Sequence, residues 1–430
     1  MAGRAKPVQN ATMQAGADHT EAAPPGPRAD RAAIDAAMRC LAGGDGGGAE
    51  AILAPLRMSH PADGDVLNLS GIAAHLLGRT EQAITLTAGA VAIDPQSGVF
   101  HANHGAALAA AGRPAEAAAA LERSLKFRPD HAPTRRNLGL ALAQLGRGAQ
   151  ALPVLYRARE LAPDDPDTHL ALARCLREAG SRDAAAESAR AALALDPPPE
   201  VAEEAAFLLA NSSGNEVPQR APSGYVRQLF DAYAPSFDQH LREQLAYRTP
   251  ELLAEALSDA GAARDGSAEV LDLGCGTGLS GAVLKPFARR IVGIDLSPRM
   301  LEKAAESGLY HRLVEAELPG CLDDEAEAAF DLAMAADVMI YLGAPEPVFR
   351  RLARVMRPGG LCALSFEVPA NPRPGLAMDV SDQLRFRHDP GAVQQVARAA
   401  GFTPVLLREN ALRLERGSPV TGVLMVLRRE

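Results

Sequence analysis

Tryptophan is absent from this 430-residue chain, and aromatic residues of all kinds make up only 4%. The strands of β-sandwiches and barrels draw on aromatic and β-branched side chains, so the composition argues against a largely all-β fold. Cysteine is scarce too. The five (Cys40, Cys175, Cys275, Cys321, Cys362) are scattered and form no CxxC pair, so neither a disulfide framework nor a metal site is predicted. That usage fits a reducing compartment, and the expected location is cytoplasmic. Basic excess is missing as well. The net charge is −9, whereas nucleic-acid binding leaves a basic footprint, so no nucleic-acid partner is expected. No run of about 18 apolar residues occurs, so no membrane span is expected. Residues 1–28 lack the apolar stretch of a signal peptide and are rich in Ala, Gly, Pro and Gln, which predicts a disordered leader. What the chain does have is 47% apolar residues, with alanine dominant among the small ones. Alanine suits close-packed helices.

The first half is periodic. Prolines stand at Pro61, Pro95, Pro129, Pro163 and Pro197, each 34 residues after the one before. Seventeen residues ahead of each lies a glycine: Gly44, Gly78, Gly112, Gly146 and Gly180. Five residues after each glycine lies an alanine: Ala49, Ala83, Ala117, Ala151 and Ala185. Glycine ends a first helix by turning left-handed. Alanine lets two helices cross closely, and proline stops the second helix. This pattern resembles the tetratricopeptide repeat, a 34-residue helix–turn–helix unit. The resemblance implies an α-solenoid over 29–212. Its first unit is expected to fray at the glycines Gly46–Gly48, and a polar-faced cap helix is expected at Glu200–Asn211. Where the family often carries tyrosine, this chain has Ala74, Leu108, Leu142 and Leu176. The family implies a concave groove for a protein or peptide ligand, with Asn68, His75, Arg136, Arg174 and Arg177 as candidate contacts. Residues 213–224, polar with Pro and Gly, read as a linker.

Beyond the linker, β-branched apolar runs alternate with helical stretches, the pattern of a parallel sheet with right-handed crossovers. The run Val270-Leu-Asp-Leu precedes Gly274-Cys-Gly-Thr-Gly278. The next strand ends at Asp295, followed by Ser297 as N-cap and Pro298 as first helical residue. In such sheets ligands bind at the carboxyl ends of the strands. There the glycines allow close backbone approach, and Asp295 can take two ribose hydroxyls. A dinucleotide fingerprint would need glycine where Leu279 stands.

Four motifs in order, VLDLGCGTG, GIDLSPRML, FDLAMAADV and RPGGLCALSFE, make the stretch 225–430 similar to class I S-adenosylmethionine-dependent methyltransferases. The resemblance implies a Rossmann-like domain: a mostly parallel seven-stranded sheet with helices on both faces. It implies S-adenosyl-L-methionine as cofactor, with Asp272, Gly274, Gly276 and Gly278 around its methionine part. Asp295 would bind the ribose, Glu315 and Ala316 would flank the adenine, and Asp337 would lie near the amino group and the acceptor. Residues 225–260, containing Tyr225, Phe230, Tyr233, Phe237 and Tyr247-Arg248, resemble the N-terminal lid of small-molecule methyltransferases. That likeness extends to a bacterial group carrying tetratricopeptide repeats. In such a lid Tyr233 and Arg248 could contact the cofactor carboxylate, Arg248 by a bidentate pair.

A sulfonium methyl is already activated, so the protein mainly aligns an in-line displacement. A base is required only if the acceptor must lose a proton. The candidates are Asp337 and His388, with Tyr341 and Tyr233 as polar positioners. No Asn/Asp-Pro-Pro-Tyr-type motif follows the fourth strand, which disfavours enzymes that methylate amino groups of nucleic acids or glutamine. The leading expectation is methyl transfer to a small molecule, with the repeats binding protein. The alternatives are a protein methyltransferase that recruits its substrate through the repeats, and a non-catalytic cofactor-binding protein.

Overall fold

The computed structural model describes residues 30–213, 219–235, 237–243, 245–369, 377–381, 384–415 and 417–430. The expected leader and residues 214–218 of the expected linker lie outside the described residues. The chain divides into two compact units, Met1–Ser212 and Ser213–Glu430.

The first unit is built of helix pairs: α1 (Arg31–Ala42) with α2 (Gly46–Ser59), α3 (Gly64–Leu76) with α4 (Thr80–Ile93), α5 (Gly98–Ala110) with α6 (Pro114–Phe127), α7 (Ala132–Gln144) with α8 (Gly148–Leu161), and α9 (Pro166–Glu178) with α10 (Arg182–Leu193). The glycine at each 34-residue step has φ between 70° and 78°, the left-handed turn that ends the first helix of the pair. Each alanine of the same series is wholly buried. A second glycine series, Gly71, Gly105 and Gly139, marks where the paired helices touch. A Cβ at Gly139 would fall 2.4 Å from Leu155 on the partner helix. The first pair is as regular as the rest. Asp45 caps α2 by accepting from the Gly48 N–H at 2.8 Å, and a Cβ at Gly46 would meet that of Leu76 at 2.9 Å. These glycines permit close packing rather than fraying.

The cap helix is α11 (Pro199–Ser213). It carries the buried Glu204, which pairs with Arg174. One unit earlier, Arg136 pairs with Asp165 at 2.7 Å and Asp167 at 3.3 Å. Asn103 donates to the buried Asn68 at 2.9 Å. A buried charge needs a partner. Asn68, Arg136 and Arg174 are thus fasteners between successive units, and Arg177 is buried as well. His75, the remaining expected groove contact, is half-buried in the last turn of α3 and also has partners of its own.

The second unit opens with α12 (Ser223–Tyr233), α13 (Phe237–Glu243) and α14 (Thr249–Asp259). Then come β1 (Ala268–Leu273), α15 (Leu279–Leu284), β2 (Ala288–Asp295), α16 (Pro298–Glu306), β3 (Arg312–Glu315) and β4 (Phe330–Ala335). The unit closes with α17 (Glu346–Val355), β5 (Met356–Glu367), β6 (Met378–Val380), β7 (Phe386–His388), α18 (Pro390–Ala399), β8 (Phe402–Glu415) and β9 (Ser418–Arg429). The main strand path runs β3-β2-β1-β4-β5-β9-β8, with the first five strands parallel and β9 antiparallel to β5. This is the expected seven-stranded sheet. A short hairpin, β6 with β7, adds two more strands and meets β5 at Glu367. Successive side chains point to opposite faces, and both faces are covered. Leu271, Ile294 and Ala333 pack with Phe349, Leu352 and Phe402 on one face. Val270, Ile291 and Leu332 pack with Leu253, Leu257 and Phe287 on the other. Double coverage explains why the strands read as nearly unbroken apolar runs.

Residues 219–222 belong to this unit rather than to a linker. The Ala344 N–H donates to the Gln219 carbonyl at 2.8 Å, and the Ala221 N–H to the Tyr341 carbonyl at 3.0 Å. Among the described residues no helix is long and apolar enough to cross a membrane.

Candidate functional site

At the carboxyl end of β1 the chain turns through Gly274, Gly276 and Gly278, with φ of 64°, 53° and 97°. All three lie in the left-handed region, where a side chain would be strained. At Gly274 a Cβ would also strike Val338 at 2.4 Å. The turn is tied to the next strand through Asp295. One carboxylate oxygen of Asp295 accepts from the Gly276 N–H at 2.9 Å and the other from the Ser297 N–H at 2.8 Å. Burial raises the Asp295 pKa, and these backbone donors oppose the shift. Ser297 caps α16 as expected, accepting from the Met300 N–H at 3.1 Å.

A cavity of about 670 Å³ opens above this turn. Gly274, Gly276, Asp295, Ala316 and Asp337 line it, together with Tyr233 and Phe237 from the lid helices and Tyr341 after β4. Tyr233 lies edge-on to Phe237 at 5.0 Å and to His240 at 5.3 Å, and burial pushes its phenol up to about 12. Tyr341 meets Phe230 edge-on at 5.4 Å. The lid is pinned by two carboxylates to which the sequence reading gave no role. Asp231 accepts from the Ser297 hydroxyl, and Asp238 from Thr277 in the glycine turn. The signal was their placement in the quoted lid stretch, beside Phe230 and Phe237.

Five expected site residues are not among those that line the cavity. Gly278 faces away from it, where a Cβ would meet Tyr310 at 3.3 Å. Asp272 is wholly buried behind the glycine turn. It accepts from the Tyr310 hydroxyl at 2.6 Å, and its other oxygen has no partner among the described residues. Burial lifts its pKa to about 7, against the pull of the tyrosine hydrogen bond. Glu315 ends β3 facing outward, paired with Arg227 of α12 at 3.0 Å. Arg248 is exposed, 3.8 Å from Glu255. In the segment before α14, which turns at Ala246 with φ 46°, Leu245 and Tyr247 line the cavity while Ala246 and Arg248 are exposed. His388 is buried below the floor. Its Nε2 donates to the Leu342 and Gly343 carbonyls, both at 3.0 Å, and its ring sits edge-on to Phe366. Burial lowers its pKa. It steadies the loop that carries Tyr341 and does not reach the cavity as a base.

Asp337 does reach the cavity, but its carboxylate is engaged. Its backbone has φ 55°, a conformation that costs a non-glycine residue about 1–3 kcal/mol. Ser365 holds it there, accepting from the Asp337 N–H at 2.8 Å and donating to one carboxylate oxygen at 2.9 Å. The other oxygen accepts from Arg413 at 2.8 Å. Arg413 also pairs with the buried Glu367. Glu367 lies 3.1 Å from Arg385, which pairs in turn with Glu415. Burial alone would lower the Arg413 pKa, but Asp337 and Glu367 raise it further and keep it charged. Arg413 on β8 and Arg385 just before β7 thus bring positive charge to this cavity, and Arg220 adds a third guanidinium to its lining. Among the described residues no group of three or more His, Cys, Asp or Glu could hold a metal ion.

Comparison with known proteins accords with this architecture. Residues 271–364 match the methyltransferase-domain family, and residues 103–166 and 142–206 match tetratricopeptide-repeat families. The second unit thus carries a methyltransferase domain and the first a tetratricopeptide array. Human methyltransferase-like protein 27 is 36% identical over 138 residues, 32% of this chain and 56% of that protein. Malonyl-[acyl-carrier protein] O-methyltransferase of Halalkalibacterium halodurans is 29% identical over 33% of this chain and 54% of its own length. The chain thus spans little more than half the length of these relatives. Among solved structures, the Burkholderia thailandensis 1,6-didemethyltoxoflavin-N1-methyltransferase, with its substrate and S-adenosylhomocysteine bound, is 21% identical. That match covers 50% of this chain and 92% of that one, with a TM-score of 0.38.

Proposed function

We propose that the second unit is a class I methyltransferase that binds S-adenosylmethionine at the glycine turn and methylates a small molecule, and that the repeat array binds a protein partner. The observation that carries the reading is the pairing of three left-handed glycines with Asp295 beside a cavity that the lid helices line. The residues present fit the cofactor. A Cβ at Gly276 would project toward Phe237 at 3.9 Å, so the glycine leaves the turn's backbone open on its lid side. Asp295 has spare lone pairs for ribose hydroxyls, and Ala316 leaves room for a flat base. The pinned, aromatic lid favours a compact acceptor over a polypeptide. That distinguishes this reading from substrate recruitment through the repeats.

The cofactor, when bound, supplies a sulfonium methyl that leaves its C–S electron pair on sulfur as the acceptor's lone pair forms the new bond. The chain's part is alignment and exclusion of water. Asp295 and the glycine turn fix one end. Tyr233 and Phe237 close the roof. Asp337, clamped by Ser365 and Arg413, presents a fixed negative charge beside the reacting centre and acts as a positioner. Calorimetry of the full chain should show S-adenosylhomocysteine binding, weakened by Asp295→Ala about 10- to 100-fold, the loss of a charge-assisted hydrogen bond. No heat with the wild-type chain at saturating ligand would overturn the cofactor reading.

A further inference from the structure

On the premise that the cofactor fills the glycine-turn end, we propose that the remaining end of the cavity takes an uncharged, largely apolar acceptor and discriminates against acids. The wall away from the glycine turn is built from Leu229, Phe230, Leu245, Tyr247, Tyr341 and Leu414. The lid segment is tied to β8 here, since the Leu414 N–H donates to the Leu245 carbonyl at 2.7 Å, and the Tyr247 N–H donates to that of Leu241 at 3.1 Å. An apolar wall strips water from the part of a ligand packed on it, so a charge placed there needs a counter-charge close by.

The counter-charge for an acid is already taken. Among the described residues the arginines lining the cavity are Arg220, Arg385 and Arg413. Arg413 lies between Asp337 and Glu367, and Arg385 between Glu367 and Glu415. Three carboxylates thus share two guanidinium groups, and the network carries a surplus negative charge. Arg220, on the rim, is paired with Glu317. A carboxylate or phosphate on the acceptor would compete with Glu415 for Arg385 and add to the surplus. A neutral ring or alkyl body incurs neither cost and gains the apolar wall.

The test uses the full chain saturated with S-adenosylhomocysteine and two probes that share one ring body, neutral 2-naphthol and anionic 2-naphthoate, titrated at neutral pH. The naphthol should bind at least about tenfold more tightly, since like-charge juxtaposition is costly in a desolvated site. Glu415→Gln should narrow that gap by relieving the surplus and freeing Arg385. Equal or tighter binding of the naphthoate, binding of neither probe, or a gap unmoved by Glu415→Gln would each overturn the proposal while leaving the cofactor reading intact. Failure of S-adenosylhomocysteine to bind at all would instead remove the premise, and the proposal with it.

Discussion

Replacing Tyr310 by Phe removes one oxygen from the structure and almost nothing else. The Tyr310 ring is wedged against three glycines. A Cβ at Gly281 or Gly293 would come within 2.7 or 2.8 Å of it, and one at Gly278 within 3.3 Å. Phenylalanine keeps those contacts. What is lost is the 2.6 Å hydrogen bond to Asp272, whose other oxygen is already unpartnered. Burial holds the Asp272 pKa at about 7, against about 3.9 in an unfolded chain. Its folded value is raised, so between these two limits the folded state binds the extra proton. Asp272 therefore makes stability fall as pH rises from about 4 to about 7, by up to about 4 kcal/mol at 1.36 kcal/mol per pKa unit. The tyrosine hydroxyl limits that fall by stabilising the ionised form. At pH 5 the carboxyl is protonated in both proteins, and the substitution should cost about 1 kcal/mol, a neutral hydrogen bond. At pH 8.5 it should cost about 2–3 kcal/mol, because the bond is then to a charge. Other titrating groups cancel in the difference between the two proteins. Urea unfolding followed by tyrosine fluorescence suits the chain, which lacks tryptophan and keeps five of its six tyrosines in the second unit. A wild-type-minus-variant difference that is flat with pH, or larger at pH 5, would refute the reasoning.

Arg248→Ala should leave S-adenosylhomocysteine affinity within about twofold, as for other exposed substitutions. A tenfold loss by calorimetry would restore Arg248 to the site. Gly139→Ala should lower the stability of the repeat array by about 1–3 kcal/mol, the cost of overpacking, since its methyl would overlap Leu155. Thermal unfolding by far-ultraviolet circular dichroism checks this, and an unchanged midpoint would mean that the α7–α8 crossing can relax.

What could be read from the sequence, and what could not, divides by the range of the interaction. The repeat register, the glycine turn, the Ser297 cap and Asp295 were legible because each is decided by residues a few positions apart or by a strict period. Gly71, Gly105 and Gly139 share that period and could have been read in the same way. Other residues depend on partners that the chain brings from afar. Arg136 and Arg174 look like groove ligands on their own helices until the next unit supplies Asp165 and Glu204, 29 and 30 residues on. Arg248 looked like the cation of the site because it follows Tyr247 in the lid. The turn at Ala246 leaves Leu245 and Tyr247 at the cavity and Arg248 exposed. The cation that reaches Asp337 is Arg413, 76 residues away. Its identity follows from the return of β8 alongside β9, which is a property of sheet order and not of any motif. A search confined to motifs therefore finds the part of such a site made by backbone turns, which bind what all relatives share. It misses the side-chain network of Asp337, Arg413, Glu367, Arg385 and Glu415, whose members come together only in the folded sheet.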